Sequence, residues 1–234
     1  DIGLTDEDIE ILCGLSSLKE LSIENNEISA KSLSTLETAL PGCGILHDVA
    51  YFEFTVGETV YRSTDAEEIL AEGPVEGLDS LQPLQFFTKL TKLVANDNAI
   101  TDLYPLEKCV GLDYLSLGNY TAAGRNRFDD LSPLSALTEL RTLLLPNCGV
   151  RDLSALHTLG ALRELDASGN RLSGLSGLSG LTSLRTLNLN STGITEISAL
   201  SGLHDLVSLD LDGNAIEDLS PLYTLSNLAI LHIN

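Results

Sequence analysis

The chain has 234 residues, with 34 acidic and 13 basic side chains that give a formal net charge of −21 at neutral pH. This acidity argues against a nucleic-acid partner, because phosphates would be repelled, and the 43% hydrophobic content argues against an intrinsically disordered chain. The 49 leucines indicate internal repetition, and no apolar run approaches the roughly 20 residues of a membrane-spanning helix, so we expect no membrane insertion.

Residues 1–46 combine a strand pattern with a helical pattern. Residues 18–28 read LKELSIENNEI, in which apolar residues alternate as in a strand and Asn26 follows. Residues 29–40 read SAKSLSTLETAL, in which leucines three and four residues apart predict a helix, and Ser29 is suited to cap its N-terminus. We therefore expect this region to form longer repeats that carry a helix.

Residues 47–77 break this pattern. Residues 49–64 read VAYFEFTVGETVYRST and alternate between apolar and polar side chains, with a turn sequence at residues 56–59. Alternation on both sides of a turn predicts a β-hairpin. We expect this hairpin either to project from the neighbouring repeats or to cover one of their edges.

The repeat pattern resumes within residues 67–73, which read EEILAEG, but the sequence leaves two registers open. Counting 22 residues back from Leu93 places Ala71 in the strand. Using Ile69 and Ala71 as the two inward residues instead requires a two-residue insertion after the strand.

Residues 78–234 form a regular array. One frame recurs, in which an L-x-x-L-x-L motif is followed by x-x-N-x-I and then by leucines at every third position. Its central leucines are spaced by 22 residues, except for one interval of 28 that contains a six-residue insertion. They are Leu93, Leu115, Leu143, Leu165, Leu187, Leu209 and Leu231.

Each copy of the frame predicts one strand and one return segment. The L-x-L part alternates, so its leucines point to one side and the residue between them points to the other. The later leucines, spaced by three, suit a 3₁₀ or extended segment, and Pro105, Pro133 and Pro221 disfavour an α-helix there. Stacked copies would pair their strands in parallel and bury leucines that a single copy cannot bury.

One polar position recurs after the strand of most copies. An amide at this position can hydrogen-bond the turn backbone, and we expect it to connect its own coil with the next one. The asparagines at this position are Asn26, Asn98, Asn170 and Asn214, with Cys148 and Thr192 as substitutes.

This frame resembles the leucine-rich repeat. Its 22-residue period and its D-L-x-P-L motif, at residues 130–134 and 218–222, resemble the internalin-like class of bacterial leucine-rich repeats. Residues 1–46, with LPGC at residues 40–43, look like the longer repeats of the ribonuclease-inhibitor type. The resemblance implies an α/β fold: a right-handed solenoid with a curved parallel sheet on its concave face and 3₁₀, extended or short helical returns on its convex face.

Both ends of the sequence lead us to expect a longer parent protein. The chain opens at Asp1 without Met and shows no signal peptide. It stops at Asn234 in the middle of a repeat, and solenoid ends need polar caps for solubility. We therefore expect residues 78–234 to lack their C-terminal cap.

The sequence predicts no catalytic, metal or cofactor site. Cys109 and Cys148 replace inward residues of the frame, which predicts buried free thiols, and the histidines lack metal-ligand spacing. Residues 210–214 read DLDGN and resemble half of a calcium loop, but the repeat itself requires Leu211 and Asn214. A cation held between stacked Asp166 and Asp210 stays an alternative. We expect no enzyme activity and no cofactor.

Function is expected on the concave face, where the residues between the inward leucines are free to vary. A mixed patch there consists of Lys92, Val94, Tyr114, Thr142 and Leu144. Beside it, an acidic zone consists of Glu164, Asp166, Asn188, Asp210 and Asp212, and His232 lies on the same face as a further contact residue. The insertion after the Leu115 strand, residues 120–128, carries Arg125 and Arg127 and is expected to leave the solenoid next to Tyr114.

These features favour a non-catalytic module that binds a protein partner through the concave face, with the tyrosine as an interface anchor. The resemblance to internalins implies a secreted or surface-attached bacterial protein; an intracellular location is the alternative. A carbohydrate or cell-wall ligand is a second reading, which several stacked aromatic residues would favour. A third reading is a recognition arm of a larger multidomain protein.

Overall fold

The computed structural model describes residues 3–24, 26–47, 51–75 and 78–234. Short strands alternate with helical turns along this part of the chain. The α-helices are α1, Ile9–Cys13, and α2, Ala30–Ala39. The strands are β1 Glu20–Ser22, β2 Gly44–Leu46, β3 Glu53–Val56, β4 Thr59–Arg62, β5 Glu68–Leu70, β6 Lys92–Val94, β7 Tyr114–Ser116, β8 Thr142–Leu144, β9 Glu164–Asp166, β10 Thr186–Asn188, β11 Ser208–Asp210 and β12 Ile230–His232.

The main sheet is parallel and contains β5 to β12 in sequence order. Each central leucine lies opposite the next, as Leu93 lies opposite Leu115 and Leu115 opposite Leu143, which confirms the repeat frame. At the first strand, Ile69 lies opposite Leu93. The register with a two-residue insertion is therefore the observed one, and the count of 22 residues back to Ala71 is wrong.

The segments that return between the strands of the main sheet are 3₁₀ turns, as the three-residue leucine spacing predicts. Several begin with a proline in their first turn, where its missing N–H costs no hydrogen bond. They are Gln82–Phe86, Tyr104–Lys108, Ser132–Ala136, Ser154–Thr158, Ser176–Leu178, Ser198–Leu200 and Ser220–Thr224.

The aspartate of the D-L-x-P-L motif starts these turns. Asp130 accepts a hydrogen bond from the backbone N–H of Ser132 at 2.8 Å, and Asp218 accepts one from Ser220 at 2.8 Å. These hydrogen bonds lower the pKa of both carboxyl groups below the usual value of 3.8. The motif is thus a local turn device rather than a ligand site.

The leucines of the array fill one continuous apolar core, to which almost every inward position contributes a fully buried side chain. Cys109 and Cys148 lie in this core, completely buried and without a disulfide, as predicted. Burial raises the pKa of both thiols to about 12.

The N-terminal region has its own small core beneath α2. Ser29 caps this helix by accepting a hydrogen bond from the backbone N–H of Ser32 at 3.2 Å, which confirms the predicted cap. Leu33 and Leu36 of the helix are buried against Ile23 and Ile28. Strands β1 and β2 form a separate two-stranded parallel sheet beside it.

Strands β3 and β4 form an antiparallel hairpin, as the alternation predicts, although Val49 and Ala50 at its predicted start lie outside the described residues. Phe54 and Val56 are buried in the core of the main array. The ring of Phe54 meets that of Phe87 edge to face, with centroids 6.5 Å apart. The hairpin therefore covers the first edge of the array and does not merely project from it.

The hairpin also contacts the N-terminal region. The backbone N–H of Ala30 donates to the carbonyl of Tyr51 at 2.8 Å, and the Tyr51 hydroxyl hydrogen-bonds Asp6 at 3.1 Å. Arg62 of the hairpin pairs with Glu27 at 3.1 Å. The division into residues 1–46, 47–77 and 78–234 stays a proposal, and residues 48–50, 76 and 77 of the middle segment lie outside the described residues.

The recurring asparagines connect neighbouring coils, but in the direction opposite to the predicted one. Asn170 donates to the carbonyl of Ala167 in its own coil at 2.8 Å and to that of Leu145 in the preceding coil at 2.9 Å. Its side-chain oxygen accepts the N–H of Val150, also in the preceding coil. The amide lies where the chain turns away from the strand, so it reaches back rather than forward.

Candidate binding face

Most of the predicted site residues lie on the strands of the main sheet, and the register brings them together as two columns; Arg125, Arg127 and Asp212 lie outside the strands. One column runs through Lys92, Tyr114, Thr142 and Glu164. The other runs through Val94, Ser116, Leu144, Asp166, Asn188, Asp210 and His232. We refer to this surface, from β5 to β12, as the sheet face.

Charged and aromatic groups meet at the start of the mixed patch. The ammonium nitrogen of Lys92 lies 5.5 Å from the centre of the Tyr114 ring, within the range of a cation–π contact. It also lies 3.6 Å from a carboxylate oxygen of Glu68. Glu68 belongs to the same column. It could not be predicted as a site residue because the sequence left two registers possible for residues 67–73.

Val94 was expected to be an exposed aliphatic residue of the mixed patch, and this expectation is wrong. Val94 is only 5% exposed, and Ser116 beside it only 2%. The Ser116 hydroxyl donates to the side-chain oxygen of Asn96 at 2.8 Å. Leu144 remains half-exposed.

The six-residue insertion is a compact loop anchored by one buried carboxylate. Asp97, which is 5% exposed, accepts hydrogen bonds from the backbone N–H groups of Tyr120 and Thr121, both at 2.8 Å. It accepts a third from the Thr121 hydroxyl at 3.0 Å. Three charge-assisted bonds to one carboxylate hold the loop in a fixed conformation.

The loop ends earlier than predicted. The backbone N–H of Arg125 donates to the carbonyl of Asn98, and that of Arg127 donates to the carbonyl of Ile100, both in the preceding coil. Because Asn126 takes the recurring polar position, the six inserted residues are 120–125. Arg125 therefore ends the loop, Arg127 lies within the regular frame, and the insertion stops three residues before the predicted boundary at residue 128. Arg127 pairs with Asp129 at 3.4 Å. A role for the two arginines in binding stays a prediction.

Tyr120 is a candidate binding residue that sequence reasoning missed. Its side chain is 54% exposed, while burial of its hydroxyl end raises the pKa of the phenol, an effect that a hydrogen bond with Ser116 opposes. A side chain at Gly118 would collide with the rings of Tyr120 and Pro146, so the observed position of the Tyr120 ring requires glycine at residue 118. The loop thus returns a second tyrosine toward the mixed patch.

The acidic zone also has a structural role. Asp166, Asn188 and Asp210 each accept a hydrogen bond from the backbone N–H two residues later, at 2.9, 3.1 and 3.0 Å. Such bonds shape the turn that leaves each strand. The other oxygen of Asp210 lies 3.7 Å from His232. The fold therefore requires some of the polar side chains of the acidic zone. The exposed Glu164 makes no such turn hydrogen bond.

The calcium-like sequence at residues 210–214 has a structural explanation. Gly213 has a φ of +68°, a left-handed conformation that favours glycine, and Asn214 bonds the turn backbone as its equivalents do. Among the described residues, no group of three or more His, Cys, Asp or Glu side chains could hold a metal ion.

Comparison with known proteins gives a consistent result. A sequence model described as leucine-rich repeats in two copies matches residues 88–136, 160–202 and 182–224. No curated protein matches the chain. Within the described residues, no helix is both long enough and apolar enough to cross a membrane.

Similar solved structures include two internalins and a leucine-rich-repeat protein. An internalin from Listeria monocytogenes is 25% identical, with 96% of this chain and 70% of that chain covered and a TM-score of 0.64. Internalin C2 from the same organism is 28% identical, with 75% of this chain and 85% of that chain covered and a TM-score of 0.55. A leucine-rich-repeat protein of Leptospira interrogans, 20% identical with 95% and 50% covered and a TM-score of 0.61, shares the fold.

Proposed function

Because this chain is an internalin-like leucine-rich-repeat protein, we propose that it binds a protein partner through the sheet face. Leucine-rich-repeat folds generally serve as protein–protein interaction modules, and such proteins are typically non-catalytic. We propose further that the protein is secreted or attached to a bacterial surface. The similarity to internalins of Listeria monocytogenes supports this location.

The observation that carries the proposal is the pairing of two tyrosines on a rigid support. Tyr114 projects from the sheet under the ammonium group of Lys92, and Tyr120 is returned toward it by the loop that Asp97 anchors. Half-exposed Leu144 completes the apolar part of the patch. Tyrosines held in place in this way lose little conformational entropy on binding, which is why they anchor many interfaces.

The patch also supports a second candidate function, the binding of carbohydrate. Aromatic rings beside hydrogen-bonding groups suit a sugar, and the sequence alone offers only Tyr114 for this purpose. Tyr120 adds a second exposed ring, with Asn96 and Ser116 close to it. We rank this candidate below protein binding because the two rings do not form a continuous stacked surface along the sheet.

An affinity capture tests the proposal. The immobilised chain would be exposed to extracellular and host-cell extracts in parallel with the double variant Tyr114→Ala/Leu144→Ser, and bound proteins would be identified by mass spectrometry. We expect at least one protein to be retained by the wild type and lost from the double variant.

A matched control is Tyr223→Ala, because Tyr223 is 89% exposed but lies on a return segment away from the sheet face. This variant should retain the same proteins as the wild type. Identical capture by all three chains would contradict the proposal, and binding of a glycan array that depends on Tyr114 would favour the carbohydrate candidate.

A further inference from the structure

Three arginines form a row along the edge of the sheet face. Arg141, Arg163 and Arg185 directly precede β8, β9 and β10 and occupy the same position of three consecutive coils. The backbone N–H of Arg163 donates to the carbonyl of Arg141 at 2.8 Å, and that of Arg185 donates to the carbonyl of Arg163 at 2.8 Å. We call these three residues the arginine row.

Among the described residues, no acidic side chain lies within 4 Å of a guanidinium group of the arginine row. All three side chains are exposed. In the part of the chain that the structure describes, the ion pairs within 4 Å involve Arg62, Lys92, Arg127 and His232, and none involves the arginine row.

The row is short and sharply bounded. The equivalent positions of the two preceding coils hold Thr91 and Asp113, and those of the two following coils hold Val207 and Ala229. The three residues directly precede neighbouring strands, which lie about 4.8 Å apart, so their positive charges are clustered and an anion that lies across them would relieve their repulsion. The row therefore presents a compact cationic site rather than an extended basic surface.

We propose that the arginine row binds a short acidic segment of the protein partner, an inference that rests on the proposed function. Guanidinium groups bind carboxylates through two parallel hydrogen bonds, and clustered Asp or Glu side chains would match the spacing. Arg141 is followed by Thr142, which lies opposite Tyr114, so the row continues directly into the mixed patch. One partner segment can thus place an apolar group on the tyrosines and acidic groups on the arginines.

The charge of the whole molecule favours a protein segment over a uniform polyanion. With a net charge of −21, the chain repels a long nucleic acid or a long sulfated glycan along most of its surface. A short acidic cluster within an otherwise neutral or basic partner meets less of this repulsion, since charges farther away than about 8 Å are screened at physiological salt.

Binding of a defined peptide tests the inference. The probe is a short fluorescently labelled peptide of alternating Glu and Ser, and its isosteric control replaces every Glu with Gln. Fluorescence anisotropy at about 0.15 M salt would measure binding to the wild type and to the triple variant Arg141→Gln/Arg163→Gln/Arg185→Gln. We expect the Glu peptide to bind the wild type at least tenfold more tightly than it binds the triple variant, and the Gln peptide to bind neither.

A second triple variant controls for the change in net charge. Lys108→Gln/Arg151→Gln/Arg171→Gln removes the same charge from exposed residues outside the strands and should bind the Glu peptide as the wild type does. Equal weakening by both triple variants, or no binding of the Glu peptide to the wild type, would overturn the inference. A heparin oligosaccharide that binds the wild type more tightly than the peptide would also overturn it, in favour of a sulfated glycan.

Repeating the affinity capture with the arginine variant separates this inference from the proposed function. If the arginine row is wrongly assigned, the proteins captured through Tyr114 and Leu144 will still be retained by the Arg141→Gln/Arg163→Gln/Arg185→Gln variant. If the proposed function is wrong, the Tyr114→Ala/Leu144→Ser variant will capture the same proteins as the wild type, whatever the peptide does.

Discussion

At the scale of single residues, buried amides hold neighbouring coils together. Asn126 is 2% exposed and takes the recurring polar position in the coil that contains the insertion. Its amide nitrogen donates to the carbonyls of Ala95 and Leu117, both at 2.8 Å, and its oxygen accepts the N–H of Ile100 at 2.9 Å. One side chain thus satisfies three backbone groups of two coils that have left the sheet.

Replacing Asn126 by Ala should destabilise the protein by about 3 kcal/mol or more, because each buried backbone group left without a partner costs about 1–3 kcal/mol. Urea unfolding followed by circular dichroism would measure this loss.

The matched control is Asn227→Ala. The Asn227 side chain is exposed and donates one hydrogen bond, to the carbonyl of His204, so its loss should cost no more than about 1 kcal/mol. Similar destabilisation by the two substitutions would mean that Asn126 does not connect the coils.

Asn126 also shows where prediction from sequence stops. The insertion leaves two asparagines, Asn119 and Asn126, that could resume the frame, and leucine spacing does not distinguish them. The structure uses both, since the Asn119 side chain accepts the N–H of Asn126 and donates to the carbonyl of Asn147. The extent of the loop and the position of Tyr120 follow from that choice, so neither could be predicted.

At the scale of elements, two neighbouring return segments approach each other closely at one glycine. In residues 174–180, glycine occurs at every third position, but only one of these glycines is tightly enclosed. A Cβ atom at Gly177 would overlap the backbone of Leu153 and Ser154 in the preceding return, whereas one at Gly180 would meet open space. The same glycine-rich sequence thus contains both a required and a replaceable glycine.

Gly177→Ala should therefore lower the midpoint of thermal unfolding by several degrees, because the backbone of the preceding return must move to accept the methyl group. Differential scanning calorimetry would measure the shift.

Gly180→Ala should leave the midpoint unchanged or raise it slightly, since alanine restricts the unfolded chain without a clash. A larger loss in Gly180→Ala than in Gly177→Ala would refute the close approach of the two returns.

The elements themselves were largely predictable, because their signals are local or strictly periodic. Leucine spacing fixed the strands of the main sheet, Ser29 and the following leucines indicated α2, and alternation around a turn indicated the hairpin. The exposure of individual residues on the sheet face was less predictable. Val94 is outward by its position in the alternation and yet is buried, because exposure depends on the size of side chains in neighbouring coils.

At the scale of the whole molecule, the apolar interior is divided into two cores. The larger one runs from the hairpin to the last coils, and the smaller one lies around Ile23, Ile28, Leu33 and Leu36 in the N-terminal region. In a repeat protein each coil is stabilised mainly by its neighbours, so damage spreads along the array from coil to coil.

Leu165→Asp should unfold several coils around β9, because Leu165 is completely buried and a charged side chain there has no partner. We expect a loss of about 4 kcal/mol or more. Hydrogen exchange measured by mass spectrometry should show lost protection in β8 to β10 and retained protection in α2.

Thr186→Asp provides the control, since it introduces the same side chain at an exposed position of the adjacent strand β10. It should change stability by less than about 1 kcal/mol. Equal destabilisation by the two substitutions would contradict the assignment of inward and outward positions in the frame.

The anchored loop after β7 has a consequence for how this surface can evolve. The chain is tied to its neighbours up to Asn119 and again from Arg125 onward, and the backbone N–H groups between these points donate to Asp97 or within the loop. New lengths and sequences inserted between these two anchor points would therefore leave the stack of coils intact. Specificity for a new partner can be acquired there in small genetic steps, without passing through a misfolded ancestor.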